Sequence, residues 1–315
     1  MIMRKPYVID ESANLTTCRD PMVLVVGDTY YLTGTQPPYW TGVNDGVHLW
    51  SSKDLKHFTD HGLIVRRDAM PEDMWCRDRF WAPELFDAKN GWFYLTFNCR
   101  NESEQYKHPH ITSVARSRNI TGPYEIIPYG QLSFSDFNYT GRSNDASMFR
   151  DDDGALYLAA NFDQTESEPL VIARVDEETL SFCELIRVCG LGRDGEWDHI
   201  GIEGPCIVKR HGIYFQWYSS WTDGYNAGIL TAPGIRGPWT KHPDNPILNP
   251  NDIWYQCGHN HSFVGLDGKD YIVFHAFMKD PSEEKIERIF IRRVDYLPDG
   301  SVKIFENLGY GEELF

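Results

Sequence analysis

Residues 202–220, IEGPCIVKRHGIYFQWYSS, decide how the chain is read. Aromatic and β-branched residues alternate through Ile213, Phe215 and Trp217, the period of two that a half-buried strand requires, and the segment "RHG" supplies a turn before them. The apolar run Cys206–Val208 on the other side of that turn completes a β-hairpin. The hairpin opens on a charge, Glu203, followed by Gly204 and Pro205. Proline removes a ladder donor and belongs at strand ends or edges, so Glu203 is expected at a rim or a channel.

The same pattern recurs along the chain: a polar opening, a short apolar strand, a tight turn and an aromatic strand. It reads RDPMVLVVGDTYYLTGT from Arg19, WAPELFDAKNGWFYLTFN from Trp81, DASMFRDDDGALYLAAN from Asp145, EGPCIVKRHGIYFQWYSS from Glu203 and GHNHSFVGLDGKDYIVFHAF from Gly258. With Asp20, Trp81, Asp145, Glu203 and His259 as anchors, the intervals are 61, 64, 58 and 56 residues. Later halves also repeat, as LWSSKDLKHFT, VARSRNITGPYE and LTAPGIRGPWT, each a strand leading into a turn and an aromatic. Each unit therefore holds about four short antiparallel strands, the content of one propeller blade. The expectation is an all-β, five-bladed β-propeller forming a single catalytic domain over residues 1–315.

Composition narrows the partners. Lys and Arg number 30 against 46 Asp and Glu, a net charge of −16, which opposes phosphate backbones and anionic membrane surfaces. Neither nucleic acid nor membrane is expected as a partner. The N-terminal MIMRKPYVIDESAN has no apolar signal core, and no apolar run reaches transmembrane length. The seven cysteines contain no CxxC pair, so neither a disulfide framework nor a zinc site is indicated. These features lead to the expectation of a cytoplasmic protein.

In a propeller the innermost strand of each blade lines the central channel, so equivalent blade openings converge at one end of the axis. Asp20, Asp145 and Glu203 are placed at three such openings. Acids that meet in a cleft raise one another's pKa, the arrangement that keeps a carboxylic acid protonated near neutral pH. Asp151–Asp153, in RDDDGA, are read as turn formers. Glycoside hydrolysis needs such acids, one to protonate the leaving oxygen and another to activate water. Phe80, Trp81, Trp40 and Trp221, near blade openings, are candidate platforms for a sugar ring.

The openings RDP, WAPEL, NDASMFRDDDG, IEGP and GHNHSFV, together with SSKDL and GPW, resemble glycoside hydrolase family 43, and the resemblance runs through all five blades in order. It implies a five-bladed enzyme acting on α-L-arabinofuranosyl or β-D-xylosyl linkages of plant-type oligosaccharides or polysaccharides with inversion. It further implies Asp20 as general base, Glu203 as general acid and Asp145 as the residue that orients the acid and raises its pKa. No cofactor is implied as necessary, but a structural Ca2+ in the channel is, near a histidine of the last blade. GHNHSF offers His259 and His261 for that place, His259 being preferred because it follows the glycine. The family's last blade also sends an arginine to the sugar, and here Arg292 or Arg293 is expected to do so, Arg292 foremost, since alternation turns only one of them inward.

Three other readings compete. A retaining β-fructosidase shares five blades and an RDP motif, but carries that motif well into the chain. A propeller phosphorylase needs basic groups for phosphate, which no cluster of blade openings supplies. A non-catalytic carbohydrate-binding propeller needs the aromatics but not three acids. Substrate choice is expected to reside in the insertions GTQPPYWTGVNDG, NCRNESEQYKHPH and SFSDFNYTGRSN, which favour exo action by walling off one end of the cleft.

Overall fold

The computed structural model describes residues 15, 17–103, 111–127, 143–162, 166–279 and 287–305. Across them the alternating apolar runs become twenty strands in five four-stranded antiparallel sheets, each built from consecutive strands. Blade one holds β1 (Arg19–Val26), β2 (Thr29–Thr35), β3 (Gly46–Ser52) and β4 (Phe58–Arg66). Blade two holds β5 (Arg79–Asp87), β6 (Phe93–Arg100), β7 (Ile111–Ser117) and β8 (Glu125–Ile126). Blade three holds β9 (Ser143–Arg150), β10 (Leu156–Phe162), β11 (Leu170–Asp176) and β12 (Ser181–Cys189). Blade four holds β13 (Ile202–Arg210), β14 (Ile213–Ser220), β15 (Asn226–Ala232) and β16 (Thr240–Lys241), and blade five β17 (Trp254–Val264), β18 (Asp270–Met278), β19 (Glu287–Tyr296) and β20 (Val302–Ile304). The first strands of successive blades pack side by side, β17 returning to β1, so the sheets close a ring. The segment RHG turns through His211 and Gly212, both at positive φ (54° and 76°), the backbone of a two-residue hairpin turn.

The apolar core divides into five clusters, each filling the space between two neighbouring blades. Phe215, Trp217, Trp254, Phe274 and Phe290 join blades four and five. Leu32, Trp50, Phe263, Val273 and Ile291 join blade five to blade one. The remaining three clusters join blades one and two, two and three, and three and four. No sheet mixes strands from the two ends of the described chain, so closure of the ring rests on side-chain packing. Removing a large aromatic from such a cluster costs about 3–5 kcal/mol.

Every first strand is interrupted near its start. The pairing skips between Arg19 and Met22, Trp81 and Glu84, Glu203 and Cys206, and Gly258 and His261, and blade three has the same break opposite Ala159–Asn161. These are β-bulges, and each contains a residue at positive φ: Asp20 (49°), Ala82 (43°), Asp145 (54°), Gly204 (63°) and His259 (45°). The bulge thus corrects the alignment read from sequence. Asp20, Asp145 and His259 are equivalent, but their counterparts are Ala82 and Gly204. Trp81 and Glu203 stand one residue earlier, at the level of Arg19, Asn144 and Gly258. One-residue slips are invisible to a pattern of openings, yet each reverses the side of the strand from which a side chain leaves.

A bulge takes a backbone N–H out of the ladder, and the preceding blade captures it each time. Ala82 N donates to Thr35 Oγ1 (2.7 Å), Asp145 N to Asn98 Oδ1 (2.8 Å), His259 N to Ser219 Oγ (2.7 Å) and Asp20 N to His275 Nδ1 (3.0 Å). Gly204 N donates to Asp145 Oδ2 (3.1 Å). A buried N–H left unpaired costs about 1–3 kcal/mol, so these bonds fix each bulge against its neighbour.

Candidate active site

The bulges line one cavity of about 740 Å³, whose wall includes Asp20, Asp145, Glu203 and His259. His259 Nδ1 lies 3.4 Å from Asp20 Oδ1 and 3.9 Å from Asp145 Oδ2. Thr35 Oγ1 donates to Asp20 Oδ2 (2.6 Å), and Asn98 Nδ2 to Asp145 Oδ1 (2.5 Å). Tyr225, absent from the sequence reading, donates its hydroxyl to Glu203 Oε1 (2.7 Å) and stacks on His275 at 5.2 Å. Asp145 holds Gly204, the residue next to Glu203, and so fixes the backbone from which that carboxyl projects.

The acids titrate in opposite directions. Burial pushes Glu203 up, Asp145 adds to the rise against the pull of His259 and the Tyr225 hydroxyl, and the carboxyl settles at about 7. Asp145 is raised too, by burial against the opposing charge of His259. Asp20 is also desolvated, but His259, Arg19 and the Thr35 hydroxyl outweigh burial and hold it below the usual carboxylate range. His259 shows the reverse balance: burial lowers its pKa, but the charges of Asp20, Asp145 and Glu203 outweigh burial and raise it. The same cavity thus favours the ionised form of Asp20 and the protonated form of Glu203.

Donor atoms of Asp145, Glu203 and His259 lie within 4.8 Å of one another, and the two carboxyls among them offer the oxygen ligands that Ca2+ prefers. Burial lowers the pKa of His261 to about 3, and its buried Nδ1 has no hydrogen-bond partner among the described residues.

The expected sugar platforms divide. Trp81 lines the cavity, and Trp40 and Trp221 stand at its lip, 69 % and 39 % exposed. The loop carrying Trp40 is held down by blade two, because Arg79 and the Trp81 indole N–H both donate to Tyr39 O at 2.8 Å. The Trp221 ring packs against Gly201, where a Cβ would come within 2.0 Å of it. Phe80 does not reach the cavity: it follows the opposite face of β5 from Trp81 and packs on Phe97 at 5.5 Å. Arg292 is also placed elsewhere, 2 % exposed, over Trp254 and Phe290 between blades four and five. Arg293 leaves the other face, pairs with Asp295 and covers Phe305. β19 meets the cavity at its first residue, Glu287, and five residues of strand, about 16 Å, separate it from Arg292.

Arginines reach the cavity from other blades. Arg19, Arg79 and Arg100 line it, a basic group that the blade openings did not disclose. Each is paired, Arg19 with Glu287, and Arg79 and Arg100 with Glu102 at 2.7 and 2.6 Å. The missed residues Tyr225, His275 and Glu287 have no local sequence signal, since each becomes functional only through a partner from another strand or blade.

Comparison with known proteins agrees with this architecture. Residues 15–302 match the family described as Glycosyl hydrolases family 43. The chain is 28 % identical over 240 residues to a β-D-galactofuranosidase, xynD, of Aspergillus niger, covering 72 % of this chain and 64 % of that protein. It is 22 % identical to the extracellular exo-α-(1→5)-L-arabinofuranosidase ArbA of Cellvibrio japonicus, over 91 % of this chain and 86 % of that one. A crystal structure described as a thermostable family-43 glycoside hydrolase superposes with a TM-score of 0.77 at 25 % identity, covering 95 % of this chain and 96 % of the other. Three further curated relatives are matched over 46 %, 41 % and 54 % of their own lengths, about half.

Proposed function

The chain belongs to glycosyl hydrolases family 43, and from that membership we propose that it is an inverting glycosidase acting on α-L-arabinofuranosyl or β-D-xylosyl linkages, or on a related furanoside. The observation that carries this reading is the convergence of Asp20, Asp145 and Glu203 on one cavity, with Asp145 holding the backbone beside Glu203 and Tyr225 its carboxyl; the surroundings push Asp20 below its ordinary value and Glu203 up to about 7. Asp20 takes a proton from water as the water oxygen bonds to the anomeric carbon. Glu203 gives its proton to the glycosidic oxygen as the bond to that carbon breaks. Asp145 holds the backbone beside Glu203 and keeps its pKa high. Two carboxyls and one water balance both proton transfers. The furanosidases among the relatives favour a five-membered ring.

A panel of nitrophenyl glycosides, comprising α-L-arabinofuranoside, β-D-xyloside and β-D-galactofuranoside, with proton NMR of the first-formed sugar, tests the proposal. Hydrolysis with inverted anomeric configuration is expected. Retention would overturn the assignment of Asp20 as base, turnover only in the presence of inorganic phosphate would favour a phosphorylase, and binding without turnover would favour a carbohydrate-binding propeller. The pairing of all three cavity arginines with carboxylates counts against phosphate as the attacking group.

A further inference from the structure

Arg19 is the one cavity arginine adjacent in sequence to a proposed catalytic residue, and beyond its charge acting on Asp20 the proposed reaction gives its donors no task. It occupies in blade one the position that Glu203 occupies in blade four, one residue before the bulge. Its guanidinium lies over Trp40 at 4.9 Å and over Tyr225, the tyrosine that donates to Glu203, at 6.0 Å. Glu287 accepts from its Nη1 and, among the described residues, is the sole hydrogen-bond partner of the guanidinium. An arginine carries five N–H donors in a planar fork, and this side chain, 16 % exposed, opens on the cavity. Most of the fork is therefore unused by the described residues, while its plane is fixed by Trp40 on one side and Glu287 at one end.

We propose that Arg19 is a substrate-positioning residue that donates to hydroxyl oxygens of the sugar ring, and that Glu287 sets the orientation of its fork. The ligand class is a neutral sugar with adjacent hydroxyls, because the Glu287 carboxylate cancels the charge that would draw in a uronate or phosphate. Planarity matters here as much as charge, since a lysine in the same place retains the ion pair but presents a single rotating point donor.

This inference rests on the glycosidase reading, and the experiment separates the two. Arg19→Lys and Arg19→Met are compared with wild type by kcat/KM on the aryl glycoside that the wild type cleaves fastest and on its monodeoxy analogues. Loss of a charged hydrogen bond is worth roughly 10- to 100-fold, so both variants should fall by that factor on the parent sugar. On the analogue lacking the contacted hydroxyl the loss should shrink to about 2-fold, the scatter of independent effects. An Arg19→Lys variant with wild-type kcat/KM, or equal losses on every deoxy analogue, would reduce Arg19 to a structural partner of Glu287 and overturn the assignment while leaving the hydrolase reading in place. A wild type that cleaves none of the glycosides would overturn both.

Discussion

Blade one and blade two carry the same backbone device for different ends. Asp20 and Ala82 sit in equivalent bulges, at φ of 49° and 43°, each with its N–H captured by a side chain of the preceding blade. A left-handed residue other than glycine costs about 1 kcal/mol or more, and strain of that kind is often taken as a mark of function. Ala82 has no functional group, yet it bears the same strain. The bulge therefore belongs to the architecture: it turns each first strand at the ring's end and closes the blade-to-blade hydrogen bonds. Chemistry depends on what the bulge presents, a carboxylate in blades one and three, an imidazole in blade five, and in blade four a glycine whose missing side chain lies against the His259 ring.

The sharpest test converts blade one into blade two. Because Ala82 shows that alanine is accommodated in this bulge, Asp20→Ala should fold and melt within a few degrees of wild type. It should lose about 10²–10⁴-fold or more in kcat for every leaving group, as expected when a general base is removed. Glu203→Ala should match that loss on an alkyl glycoside but retain far more activity on an activated aryl glycoside, whose phenolate leaves with little help. Equal losses on good and poor leaving groups would show that the acid is misassigned.

Asp145 distinguishes the two occupied acidic bulges. Its charge raises the pKa of Glu203, and activity needs Glu203 protonated, so wild-type kcat/KM should fall as pH rises through about 7. Removing that charge lets the Glu203 proton leave sooner, so Asp145→Asn should move the basic limb of the pH–rate profile to lower pH. A limb that stays in place would mean that another group controls it.

The smallest effects belong to blade two itself. Ala82→Val puts a β-branched residue at positive φ and should cost about 1–3 kcal/mol of stability, read as a lower Tm, with kcat on a nitrophenyl glycoside unchanged. Ala82→Gly should move stability by less than about 1 kcal/mol, relief of strain being offset by a more flexible unfolded chain. A large loss of activity in either variant would show that the bulge of blade two contributes to the site, against the division drawn between architecture and chemistry.

Much of the fold was open to reading because its signal is local and repeated. The alternation through Ile213, Phe215 and Trp217 and the turn at His211–Gly212 specify a hairpin wherever they occur, and five copies in order specify five blades. The three acids could be named from the resemblance, and the cavity gathers all of them with His259. Phe80 and Arg292 were misplaced for one physical reason: a side chain's destination depends on strand face and on distance along the strand from the ring's end, and neither is written in a motif. Glu203 lines the cavity with the other acids but at a different level, one position before the bulge residue that Asp20 and Asp145 represent.

By itself, then, the sequence determined the period, the hairpins, the positions of the acids that converge on the cavity and the net negative charge. Tertiary structure alone decided which arginines line the cavity, where Phe80 and Arg292 go, and in which direction each buried group's pKa moves. Those properties are sums over neighbours from different blades. Glu203 is raised because burial and Asp145 outweigh His259 and Tyr225, and Asp20 is lowered because His259, His275 and Arg19 outweigh its burial. Closing the ring brings those groups within a few ångströms of one another, where electrostatic energies are large enough to move a pKa, and along the chain they lie tens to hundreds of residues apart.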